Sequence, residues 1–210
     1  MSGRAAAIIS AMKLLLFSDV HSDLSAVGDL VRRATAVDVV VCAGDLCNLH
    51  ARLTAVVKAL KAIDKPTVLV AGNNETADDL FAACAGWPSA VVLHGTGADI
   101  LGVPFFGVGG GIPVTPFGDW SYDFTEADAE KLLAGCPSGG VLVTHSPPFG
   151  VLDVSSSGRS LGSTAIRAAM ERCRPKLLVC GHIHGSGGKQ QQAGDTLVVN
   201  AGPAGMLVEV

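Results

Sequence analysis

Five runs of apolar, largely β-branched residues punctuate the chain: Lys13–Phe17, Val37–Cys42, Thr67–Val70, Val141–Val143 and Lys176–Cys180. They read almost continuously apolar, as strands covered on both faces do, whereas a strand with one wet face would alternate. Between the first three runs the spacing becomes helical. Leu24, Val27, Leu30, Val31 and Ala34 form one stripe, and Leu53, Val56, Val57, Leu60 and Ile63 form another. Pro66 then marks the return to strand. Thr125 with Asp128 has the spacing of a capping box that opens a helix to about Ala134. Ser163 caps a further helix, which must stop before Pro175. Shorter strands are expected at Val91–Leu93, Asp99–Leu101, Pro104–Val108, Thr196–Val199 and Met206–Val210. There is no internal repeat and no linker. A β-α-β-α-β opening followed by a strand-rich second half predicts two stacked sheets flanked by helices, in one domain over residues 12–210.

Composition narrows the class. A chain of 210 residues is ample for a sizeable core. The formal net charge is −4 and no block of Lys or Arg occurs, so no nucleic-acid or membrane surface is expected. With 49% hydrophobic and 16% charged residues, a face used for homo-oligomer formation is compatible with the composition. No apolar run approaches the ~20 residues of a membrane span. The opening "MSGRAAAIISAMKLLLF" superficially resembles a secretory leader. But "KLLLFSDVH" reads as a core strand running into polar residues, so a cytoplasmic protein is expected. Translation could start at Met1 or Met12, with residues 1–11 a disordered extension. None of the six cysteines forms C-x-x-C, and Cys42 and Cys180 sit in strand runs, where a thiol acts as a small hydrophobe. A reducing compartment is the consistent reading.

Several fragments carry little chemistry. "GVGGG" at Gly107–Gly111 is neither a dinucleotide fingerprint nor a P-loop. It reads as the start of a loop through Trp120, with a mobile active-site wall as the sharper alternative. "SAMK" at Ser10–Lys13 lacks the partner motifs of a serine acyltransferase, and no G-x-S-x-G elbow occurs.

The ends of the apolar runs are more informative. After the first come Ser18-Asp19-Val20-His21; after the second, Gly44-Asp45; after the third, Gly72-Asn73-Asn74-Glu75. His145 follows the fourth, and Gly181-His182-Ile183-His184 the fifth. Open α/β sheets bind ligands beyond the carboxyl ends of their strands. Here all five runs deliver a metal-competent side chain to that edge. If strand alternation persists past Cys180, His182 and His184 aim at one spot. Two Asp, one Asn and four His suit Mn, Fe, Zn or Co better than Mg or Ca. Seven ligands exceed one tetrahedral ion. Two divalent transition-metal ions sharing a carboxylate fit, and ions ~3.5–4 Å apart can clamp both oxygens of a displacement at phosphorus.

In this order, D-x-H, G-D, G-N-x-E/D, H and G-H-x-H resemble the calcineurin-like metallophosphoesterase family, from Lys13 to about Val210 and including "VVNAG". "THSPPFGVLD", "GRSLGS" and "VCGHIHG" resemble its small bacterial and archaeal members. The resemblance implies a four-layer α/β sandwich. It implies Asp19, His21 and His184 on one metal, Asn73, His145 and His182 on the other, and Asp45 bridging with a nucleophilic hydroxide. Mn or Fe is favoured, and the substrate is a small phosphate ester. One position departs. Where the family usually writes G-N-H-D/E, Asn74 replaces a histidine that contacts phosphate and can protonate the leaving group. Asn donates a hydrogen bond but is no acid at neutral pH. The departure leans the expectation to phosphodiesters, with a phosphomonoesterase of the same fold as alternative. A non-catalytic scaffold, as in the retromer subunit of this fold, is disfavoured because all seven ligands are retained. His94 and His50 are the loop histidines able to replace the acid, and Arg159 is a candidate phosphate contact. Asp23 reads as a helix cap.

Overall fold

The forecast strands are all present, with ends that differ by a few residues. The computed structural model describes residues 11–210, so the expected N-terminal extension lies almost wholly outside the described residues. In chain order the elements are β1 Lys13–Phe17, α1 Leu24–Ala34, β2 Val39–Cys42, α2 Leu53–Leu60, β3 Thr67–Leu69, α3 Ala77–Ala83, β4 Ala90–Val92, β5 Thr96–Ile100, β6 Val103–Val108, α4 Glu126–Leu133, β7 Val141–Thr144, α5 Thr164–Cys173, β8 Leu177–Cys180, β9 Lys189–Ala193, β10 Thr196–Asn200 and β11 Met206–Glu209. One sheet has the order β11-β1-β2-β3-β4 and the other β5-β6-β7-β8-β10-β9. The interior strands run parallel, while β11, β5 and β9 pair antiparallel at edges, so both sheets are mixed.

The continuous apolar runs have the cause inferred for them. In β1, Leu15 and Phe17 face α1 and α2, joining a cluster with Val27, Leu30, Val56 and Leu60. Leu14 and Leu16 face the opposite sheet and meet Phe105, Val141, Val143, Leu177 and Val179. A third cluster joins the far face of the second sheet to α4 and α5 through Leu142, Leu178, Ile166 and Met170. The result is four layers, α/β/β/α, with three apolar interfaces.

The helix caps are largely as read. Asp23 accepts from the Ser25 and Ala26 amides, and Ser163 from Ile166. Thr125 caps α4 by accepting from the Asp128 amide, but the reciprocal bond of a capping box is replaced by a hydroxyl–carboxylate contact, Thr125 Oγ1 to Asp128 Oδ2 at 2.7 Å. Two elements escape the hydrophobic pattern. The short α3 buries only Leu80 and is set by its Thr76 cap. β9, "KQQQA", is exposed along nearly all its length and exists because β10 lends it an antiparallel partner. Among the described residues, no helix is long and apolar enough to cross a membrane.

The central interface is expected to dominate stability. Truncating Leu16, fully buried between the sheets, to Ala should cost about 2–5 kcal/mol in urea unfolding. Truncating Leu207, 61% exposed on β11, should cost under about 0.5 kcal/mol. Equal losses would contradict the layer assignment.

Candidate metal centre

The loops after β1, β2, β3, β7 and β8 meet at one edge. Backbone bonds stitch them together: Asp19 N–H donates to Gly44 O at 2.9 Å, His21 N–H to Asp45 O at 3.0 Å and Gly181 N–H to His145 O at 2.9 Å. Four of the side chains foreseen as ligands sit on left-handed backbone, with φ of 55° at Asp19, 43° at His21, 55° at Asp45 and 63° at His182. Such residues are individually unfavourable and collect where surroundings over-determine them. The glycines before the motifs explain how close the loops come. A Cβ on Gly72 would stand 2.0 Å from Asp45 Oδ1, and one on Gly181 would stand 2.5 Å from Asp19 Oδ2.

Two groups of ligand atoms form, each mutually within 4.8 Å: Asp19, His21, Asp45 and His184, and Asp45, His145 and His182. Asp45 belongs to both. Its Oδ2 lies 3.6 Å from His21 Nε2 and 3.5 Å from His145 Nε2. In the first group, His21 Nε2 and His184 Nε2 approach to 3.1 Å, about the separation of two imidazoles sharing an ion with bonds of ~2.1 Å. In the second, Asn73 Oδ1 stands 3.2 Å from His145 Nε2 and 3.1 Å from His182 Nδ1. Thus the seven residues are brought together, Asp19, His21 and His184 on one side of Asp45 and Asn73, His145 and His182 on the other. His182 and His184 do not arrive by strand alternation, however. The strand ends at Cys180, His182 turns left-handed, and His184 opens a short 3₁₀ turn to Ser186. The two rings therefore diverge to different groups.

Further side chains orient these. His145 Nδ1 donates to Ala43 O at 2.8 Å, which leaves Nε2 facing Asp45 and Asn73. Asn73 Nδ2 donates to Ser121 Oγ at 3.0 Å, so its oxygen points inward. Ser121 in turn donates to Asp123 at 2.8 Å, and Thr115 donates to the same carboxylate at 2.6 Å. Glu75 is fully buried and accepts from the amides of Gly72, Leu46 and Cys47 at 2.8, 3.2 and 3.2 Å, tying the Asp45 loop to the Asn73 loop. Burial and the neighbouring Asp45 charge push its carboxyl up. Sequence reading assigned roles to none of Ser121, Asp123, Thr115 and Glu75; Glu75 stood in the motif without a task, and the others carry no local signal.

Asn74 lines the site, with its side chain spoken for. Its amide nitrogens, backbone and side chain, each donate to Asp45 at 2.9 Å, and Leu49 N–H donates to its Oδ1 at 3.0 Å. A cavity of about 410 Å³ opens over the centre, lined by His21, Asp45, Asn73, Asn74, His182 and His184 at its floor and by loop residues at its walls. Arg159, on an exposed turn, is not part of this lining, although Ser155 and Ser156 of the same loop are. Nor are His50, whose Nε2 meets Trp120 O at 2.7 Å, or His94, which accepts from Gly109 N–H and packs on Tyr122 and Phe124.

Electrostatics supports cation binding. Asp19 and Asp45 are 6% and 2% exposed, and among the described residues no Lys or Arg pairs with either. Buried carboxylates need compensation, and the charge that faces them comes from histidines. Burial alone would raise both; His184 beside Asp19, and His145 and His21 beside Asp45, hold them low instead. Burial opposes a charge on His145, yet the Asp45 carboxylate outweighs it and pushes that ring up to about 9. Burial and the His145 charge bring His182 down to about 4. These donors fit divalent transition ions: imidazole and carboxylate oxygen together, buried, anionic and short of positive charge.

Comparison with known proteins shows the family and the fold. A family model described as the calcineurin-like phosphoesterase superfamily domain matches residues 12–209. UPF0046 protein T07D4.2 of Caenorhabditis elegans is 30% identical over 103 residues, 46% of this chain, and the aligned stretch spans 24% of that protein. The structure of TT1561 of Thermus thermophilus shares the fold with a TM-score of 0.74 at 21% identity, covering 93% of this chain and 91% of that one. A dimetal phosphatase from Danio rerio does so with a TM-score of 0.57 at 14% identity, covering 90% and 86%.

The raised His145 sets a pH dependence. Below about 9 the ring holds a proton that an incoming metal must displace, while His182 is already neutral at pH 7. Affinity for Mn²⁺ at the Asp45–His145–His182 group should therefore rise with pH up to about 9, by about tenfold per unit for one displaced proton. Calorimetric titration of metal-free protein between about pH 6 and pH 8, in buffers of differing ionisation enthalpy, should show that proton leaving. Affinity independent of pH would contradict the assignment.

Proposed function

Because the chain belongs to the calcineurin-like phosphoesterase superfamily, we propose that it is a dinuclear metal-dependent phosphodiesterase. The dinuclear reading rests on one observation above all: the buried Asp45 carboxylate is shared by two ligand groups. Asp19, His21 and His184 would hold the first ion, Asn73, His145 and His182 the second, and Asp45 both. When bound, the pair would supply positive charge to the phosphate and a water acidified enough to attack phosphorus. Mn or Fe suits the mixed donors.

The chain's own groups determine what kind of ester fits. Asp19 is fixed for its task by the Ser18 hydroxyl at 2.5 Å and by the His182 amide, which reaches both of its oxygens at 3.0 and 3.2 Å. Asp45 is held by the paired amide donors of Asn74. The histidines lining the cavity are His21, His182 and His184, all within the ligand set. Among the described residues no imidazole of this lining is left over as an acid, and the Asn74 amide cannot lend a proton. An ester whose departing group needs little protonation is therefore favoured. The six free, buried cysteines suit a reducing cytoplasm.

Two tests follow. Mn²⁺-loaded protein should hydrolyse bis(p-nitrophenyl) phosphate readily and alkyl phosphomonoesters poorly, since a positioned acid is worth ~10²–10⁴-fold with poor leaving groups. Asn74→His should raise kcat/KM on the monoester more than on the diester, at equal metal content. A wild type that prefers alkyl monoesters would show that a proton donor exists, and the diester reading would fall. Asp45→Asn should lower bound metal, by elemental analysis, and turnover by orders of magnitude. Asp23→Asn, which keeps a good N-cap on α1, should lower neither. Normal metal content in Asp45→Asn would remove the shared carboxylate from the account.

A further inference from the structure

Above the candidate metal centre, one wall of the cavity is made by Phe117 and Trp120. Their rings stack, with centroids 5.7 Å apart and planes within 14° of parallel. Both remain exposed, Phe117 by 51% and Trp120 by 37%. Large aromatic side chains left in water beside a polar centre are costly unless something covers them.

The wall is not a loose excursion. His50 Nε2 grips the main-chain oxygen of Trp120 at 2.7 Å, and Ser121 N–H donates to Gly118 O at 3.0 Å. Thr115 and Ser121, on either side of the aromatic pair, both bond to Asp123, and Ser121 also takes the Asn73 amide. The segment that presents the rings is thus pinned to a candidate metal ligand. The lining also includes Ser155, Ser156 and Leu161. No Lys or Arg is part of the lining among the described residues. Beyond the centre itself, then, the cavity offers a flat apolar face and hydroxyls, and nothing to neutralise a second anionic group.

We infer that Phe117 and Trp120 form the subsite for the non-departing ester group, selecting phosphodiesters that carry a planar aromatic or heteroaromatic substituent and no further negative charge. The inference rests on the phosphodiesterase reading above and deepens it. Stacking on an aromatic platform tolerates many flat rings, because every such ring offers a π-face. Selection by this wall is therefore for planarity rather than for one pattern of hydrogen bonds.

The test holds the leaving group constant. Phenyl p-nitrophenyl phosphate and methyl p-nitrophenyl phosphate carry one negative charge each. In both, water adds to phosphorus, the bond to p-nitrophenolate breaks, and the two protons of the water pass to solvent, leaving the phosphomonoester as its dianion. With the Mn²⁺-loaded protein, kcat/KM should favour the phenyl ester by about tenfold over the ratio of the two in water. Trp120→Leu should bring that preference down to the solution ratio, and Trp120→Phe should keep most of it. A preference absent in the wild type, or unchanged in both Trp120→Leu and Phe117→Leu, overturns the inference.

A binding measurement separates its failure from that of the reading beneath it. Trp120 is the exposed tryptophan and Trp87 is buried, so phenylphosphonate should quench the Mn²⁺-loaded protein's fluorescence at about tenfold lower concentration than methylphosphonate. Phenylphosphonate preference without turnover of either ester would uphold the aromatic subsite and overturn the phosphodiesterase reading. Turnover of both esters without any aromatic preference would do the reverse.

Discussion

A carboxylate removed from water must find its compensation within the protein, and Asp45 finds it from several strand ends at once. Asn74 gives it two N–H groups from the loop after β3, His21 faces it from the loop after β1, and His145 faces it from the end of β7. None of these elements is adjacent in sequence. Each loop must therefore be in place before the charge is tolerable, and the charge in turn holds the loops together. Glu75 shows the same constraint resolved differently: burial and the neighbouring Asp45 charge push its carboxyl up, while the amides of Gly72, Leu46 and Cys47 bond to it. Two neighbouring carboxylates thus divide the work, one offered to cations and one bonded to backbone amides.

The four-layer fold makes this arrangement tolerable in conformational terms. Apolar interfaces on both faces of each sheet fix where the strands end, and the turns beyond them can then hold strained backbone. The left-handed conformations at Asp19, His21, Asp45 and His182 are local costs set against three apolar interfaces, and they aim side chains that a relaxed strand exit would direct elsewhere. Through Ser121 and Asp123 the same loops carry the aromatic wall, so the geometry that orients Asn73 also places Phe117 and Trp120 over the centre.

The fold was legible where burial on two faces writes an unbroken apolar run, as in β1, β2 and β8. It was not legible in β9, whose exposed polar residues become a strand only because β10 is there. The candidate ligands could be read because chemistry-bearing residues recur just past strand ends. Their supports could not. The Asn73–Ser121 bond joins residues 48 apart in sequence, and Glu75 reaches amides 28 and 29 positions away. Nothing local in "FGDWSYD" shows which residues return to the site. The paired histidines of "GHIHG" mark the limit of pattern reasoning most clearly. Alternation gave them a shared direction, whereas the left-handed turn at His182 sends them to separate groups that meet at Asp45.

In the proposed centre one buried carboxylate, Asp45, joins two metal ions. Anomalous diffraction from crystals grown with Mn²⁺, recorded at the manganese edge, tests it directly. Two peaks about 3.5–4 Å apart are expected, one among Asp19, His21 and His184 and one among Asn73, His145 and His182, with Asp45 touching both. A single peak at full occupancy, or two peaks of which one lies out of reach of Asp45, would contradict it.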